Sequence, residues 1–88
     1  MKAIVSVIGK DKRGIIARVS NLLFEQDINI EDISQTIMQD YFTMIMMVSI
    51  DKNSDINKIA NSLDKLGEEL GVVIRVQHED IFNSMHKI

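Results

Sequence analysis

Apolar residues along this chain follow two rhythms, and the switches between them mark the elements. From Lys2 to Gly9, the β-branched residues Ile4, Val5, Val7 and Ile8 occupy both parities of a short run ending in glycine. That pattern predicts a strand buried on both faces. Over 12–26 the period lengthens. Ile15, Val19, Leu22, Leu23 and Gln26 fall at i, i+4, i+7, i+8 and i+11, which predicts a helix with one apolar stripe. Asp11 is expected to cap it, placing Gly14 three residues inside. Residues 28–39 return to the strand rhythm with a slip of phase: Ile28 and Ile30 share one parity, Ile33 and Ile37 the other. One extra residue near Glu31 or Asp32, a β-bulge, restores a common face. A turn is expected at Asp40-Tyr41. A third strand follows over 42–50, with Phe42, Met44, Met46, Val48 and Ile50 on one face and Ile45 and Met47 on the other. Ser54 is expected to cap a helix over 55–70, where Ile56, Ile59, Ala60, Leu63, Leu66 and Leu70 recur at helical spacing. Gly71 suits its left-handed end. Residues 72–78 predict a fourth strand. Residues 79–88 predict a short terminal helix, with Ile81, Phe82, Met85 and Ile88 on one side.

The order β-α-β-β-α-β predicts an α+β, ferredoxin-like βαββαβ sandwich, with 1–88 as one domain and 79–88 as its helical extension. Right-handed crossovers place both helices on one face of an antiparallel sheet ordered 4-1-3-2. The second face of the central strands then carries Ile45 and Met47 with no helix over it. It is expected to be covered by the terminal helix, by a second copy, or by both, so a homodimer is expected.

Composition narrows the chemistry. The chain has 88 residues, net charge −3 and no cysteine. The acidic balance argues against nucleic-acid and anionic-membrane binding. Without cysteine there are no disulfides, thiolate zinc sites or thiol catalysis, which fits a cytoplasmic protein. The apolar run Ala3–Ile8 is too short for a signal peptide, and nothing approaches a membrane span.

Chemistry concentrates in the loop Gly9-Lys10-Asp11-Lys12-Arg13-Gly14, set between a strand and a helix start. A helix N-terminus presents unpaired N–H groups and a positive dipole, suited to a small anion. The same loop is also explained as a tight connection with solvated Lys10 and Lys12. Histidine positions do not make a metal site: His78, Glu79, Asp80 and His86 lack a helical His pair spacing. His78 at a strand end is expected to be a surface or capping residue. Met44, Met46 and Met47 suit adaptable packing. No cofactor is expected.

The fold hosts many functions. An RNA-binding version needs aromatics on its central strands, and strand 1 has none. A copper chaperone needs Cys-x-x-Cys. An acylphosphatase-like hydrolase could use Arg13, Arg18 and Asn29, but neither its loop spacing nor a general acid or base is present. The run Ile4-Val5-Ser6-Val7-Ile8-Gly9, with Asp11, Gly14-Ile15-Ile16-Ala17 and Asn29-Ile30, resembles the ACT domain family. Arg13 stands where that family often has proline. The tail from His78 to His86 is similar to that of stand-alone bacterial and archaeal ACT proteins, and to the ACT repeats of the glycine-cleavage repressor and formyltetrahydrofolate deformylase. This resemblance implies a non-catalytic regulatory module that binds a small ligand, an amino acid, and acts on a partner protein; a ligand-free dimerisation or interaction module is the alternative. It implies a site between subunits. The first loop of one chain (Gly9, Lys10, Asp11, Arg13, Gly14) would face Asn29 and Ile30 of the other.

Overall fold

The computed structural model describes residues 1–10 and 13–80. The elements are β1 (Lys2–Gly9), α1 (Ile15–Glu25), β2 (Asn29–Met38), β3 (Tyr41–Ser49), α2 (Ile56–Leu70) and β4 (Val73–His78). Every neighbouring pair in the sheet is antiparallel, in the order β2-β3-β1-β4, which is the expected 4-1-3-2 read from the other edge.

The core lies between the sheet and the helices. Ala3, Val5 and Val7 of β1, with Phe42, Met44, Met46 and Val48 of β3, point into it. They meet Ile15, Val19 and Leu23 of α1 and Ile59, Leu63 and Leu66 of α2. The phase slip in β2 is a bulge between Ile30 and Asp32, leaving Glu31 as the extra residue. It returns Ile33 and Ile37 to the helix side, opposite Met46 and Phe42. They remain exposed there, at 39% and 55%.

The strand ends fall within a residue of expectation, whereas two helix caps and one turn differ, each by local chemistry. The N-cap of α1 is Gly14, not Asp11, so the helix begins at Ile15. Gly14 sits at φ 77°, a left-handed turn that a glycine adopts without strain. The hairpin turn is Gln39-Asp40, because Met38 already pairs with Tyr41. Gln39 supplies the positive φ (54°) that a tight hairpin requires. The cap of α2 is Asp55, whose carboxylate accepts from the Asn57 N–H at 3.0 Å, rather than Ser54. Asp55→Ala is therefore expected to lose about 1 kcal/mol. Ser54→Ala should stay within about 0.5 kcal/mol of wild type. Chemical denaturation of the two variants checks the assignment.

Gly71 ends α2 at φ 74°, as expected. Gly67 is buried one turn earlier. A Cβ there would lie 2.7 Å from the Val72 carbonyl oxygen, so its helix-propensity cost is offset by close approach of α2 to β4. Glu79 and Asp80 begin a helical turn. The rest of the expected terminal helix lies outside the described residues, as do Asp11 and Lys12.

The face of the sheet opposite the helices is formed by the alternate parity. Ile4 is buried there, whereas Ile8, Ile45 and Val73 are exposed.

Candidate functional site

The loop joins the top of β1 to α1. Gly9 closes β1 opposite Phe42. Its missing side chain has a steric cause: a Cβ would sit 2.3 Å from Cγ1 and 2.9 Å from Cβ of Val72. Lys10 is exposed, with Nζ 5.7 Å from the centre of the Tyr41 ring, a cation–π approach. Tyr41 is a contact the sequence reading missed. It was findable: with Gly9 opposite Phe42, the next outward pair must be Lys10 and Tyr41. Arg13 and Gly14 are exposed, while Ile15 is buried and anchors α1. At Gly14 a Cβ would meet nothing within 4 Å, so this glycine answers to backbone conformation and leaves open space above the helix end.

Asn29 is the first residue of β2, exposed and opposite Ser49, which in turn pairs with Lys2. Gly9 lies at the other end of the same strand as Lys2, and seven residues of strand span about 23 Å. One chain therefore holds the two halves of the implied site at opposite ends of its sheet. Ile30 is half-buried opposite Val48 and packs against the core.

His78 behaves as a helix cap. Its Nδ1 accepts from the Asp80 N–H at 3.1 Å, and the Asp80 carboxylate lies 3.7 Å away. Among the described residues, no group of three or more His, Asp or Glu side chains is arranged to hold a metal ion. No described helix is long and apolar enough to cross a membrane. An open groove of about 740 Å³ lies beside β4, lined by neither the loop residues nor Asn29.

The βαββαβ order and the antiparallel sheet define a ferredoxin-like α+β sandwich. The chain belongs to the ACT domain family, whose model matches residues 2–77. It is 56% identical over 89 residues to a UPF0237 protein of Clostridium acetobutylicum, with full coverage of both chains. An ACT domain protein from Streptococcus pneumoniae superposes with a TM-score of 0.85 at 46% identity, over 93% of each chain. A putative glycine cleavage system transcriptional repressor superposes with a TM-score of 0.79 at 19% identity, over 86% of this chain and 45% of that one. This last likeness is one of fold.

Proposed function

We propose that this chain is a non-catalytic cytoplasmic regulator, a single ACT domain over 1–88. It binds an amino acid between two copies of itself and passes the signal to a partner protein. The observation that carries the reading is the separation of the loop from Asn29 within one chain. A pocket using both must draw them from two chains.

An antiparallel pairing of β2 with β2 of a second copy meets that requirement. It brings the start of one β2 level with the end of the other, and so level with the first loop. A register centred on Gln35 sets exposed Ile33 against Ile37 of the second copy, on the same face. It stops short of the bulge at Glu31, where pairing is interrupted. The N–H groups of the first turn of α1 receive the ligand carboxylate. Asp11 pairs with the α-ammonium, and Asn29 supplies an acceptor and donors suited to a zwitterion. Lys10 and Arg13 add positive charge around the carboxylate. Binding across two chains shifts the balance between assembly states, which is the means of regulation.

Titration calorimetry of each proteinogenic amino acid at millimolar concentration tests this reading. One or a few should give heat, at one site per chain. Heat from none of them, with the dimer intact by light scattering, removes the amino-acid ligand.

A further inference from the structure

Among the described residues β4 ends the sheet, with β1 on one side and no strand on the other. Its outer edge does not abut solvent as a flat rim. It borders the groove of about 740 Å³, whose opposite wall is α2. Edge strands carry protective features against chance pairing, and β2 has two of them. Both lie at its start: the bulge at Glu31 breaks the strand, and the Asp32 carboxylate takes the Ile33 N–H at 2.9 Å, a local bond that the β2 pairing proposed above would exchange for one to the second copy. β4 has neither feature. Its register with β1 runs unbroken from Val73 to His78, and it contains no proline or lysine.

The wall facing this edge is acidic. Asp64 and Glu68 of α2 line the groove, both exposed. Four residues of helix separate them by about 6 Å along the axis. Alternate residues of a strand lying along β4 would recur every ~6.7 Å on the side facing α2. The two spacings match closely enough for successive same-face side chains to meet the two carboxylates. Between them Gly67 is buried against β4 and adds no side chain to block the way. Arg75 belongs to the opposite face, level with Ser6, and disfavours cations on that side of an added strand.

We propose that the β4 edge is the surface through which the protein engages a partner. It accepts an extended segment as a fifth strand, with basic side chains at alternate positions facing α2 and small uncharged residues between them. Backbone pairing supplies the geometry, and Asp64 and Glu68 supply the choice of sequence. This surface stands independently of the ligand and of the β2 pairing.

The probe is a terminally blocked peptide in which lysine alternates with threonine and valine, titrated into the nitrogen-15-labelled full chain. Amide shifts should concentrate on Val73–Gln77 and the facing turns of α2. A peptide with glutamate in place of lysine should bind roughly tenfold more weakly. N-methylation of alternate backbone nitrogens in the lysine peptide should abolish binding. Combining Asp64→Lys with Glu68→Lys should reverse the lysine–glutamate preference. The glutamate peptide makes the charge test on wild-type protein, should that double variant fail to fold. Equal binding of the two peptides, or shifts that bypass β4, would overturn the proposal. So would β4 shifts that grow with protein concentration in the absence of peptide, which would assign the edge to a second copy.

Discussion

Gly9→Ala is expected to lower the melting temperature by roughly 5–20 °C. The Cβ it adds would overlap Val72, at 2.3 Å from Cγ1 and 2.9 Å from Cβ. Rotating the valine relieves the first contact and leaves the second, because Cβ does not move with χ1. Overpacking of this kind costs about 1–3 kcal/mol, and a domain of this length loses about 4–8 °C per kcal/mol. Total stability for a chain of this length is on the order of 4–13 kcal/mol, so the loss is a large share of it. The measurement is thermal unfolding of Gly9→Ala, Val72→Ala and the double variant. Trimming Val72 to alanine alone removes about 1.5 kcal/mol of buried apolar surface but also removes Cγ1, the worse of the two clashes, and leaves only the contact with Cβ to be relieved by a small shift. The double variant should therefore be less destabilised than the sum of the singles by about 1 kcal/mol or more. If Gly9 were there only to let a ligand approach, Gly9→Ala would melt within about one degree of wild type, and the cycle would be additive.

That glycine illustrates which information a local pattern carries. Its position between a strand and a helix invites the ligand reading, and the contact that dictates it lies far along the chain, at the junction of α2 and β4. No local pattern contains such a pair. Periodicity, by contrast, is local and is enforced by a buried face. The alternation of Phe42, Met44, Met46 and Val48 therefore placed β3 to within a residue at each end, and the slip between Ile30 and Ile33 narrowed the bulge to Glu31 or Asp32, of which Glu31 is the extra residue. Caps fail differently. Ser54 and Asp55 are both good capping residues, and the winner is decided by which carbonyl and N–H groups packing brings together. At the start of α1 a left-handed glycine displaced Asp11 for a similar reason: the chain must turn sharply to drop Ile15 into the core.

Exposure is the other thing a pattern does not contain. Ile33 and Ile37 read as core residues and do face the helix side, yet α1 does not reach over them. Their exposure, on an edge strand, would give the proposed β2 pairing its apolar contact. The separation of Asn29 from the loop was available earlier, from topology alone. With β1 running one way and β2 beside β3, the start of β2 must lie at the far end of the sheet from the end of β1. What the structure adds is the distance, so a pocket that used both groups would have to draw them from two chains.

Mixing two binding-dead variants is expected to restore ligand binding, and this is the sharpest consequence of a pocket built across chains. Asp11→Ala would remove the proposed partner of the α-ammonium from every first loop. Asn29→Ala removes the amide from every start of β2. Each pure dimer then has two damaged sites, and the loss of one hydrogen bond to a charged ligand group weakens binding about 10- to 150-fold. In a mixed dimer the damage segregates. One site combines the altered loop with the altered Asn29 position, while the other combines an intact loop with an intact Asn29. Equal mixing makes about half of all dimers mixed, so about one quarter of the wild-type sites should reappear at wild-type affinity. The measurement is calorimetric stoichiometry after the two variants are co-refolded, using the amino acid identified in the screen. No recovery, with subunit exchange verified by mass, would place the loop and Asn29 in separate roles. Both loss and recovery follow from the length of β1, whose eight residues hold the two halves apart.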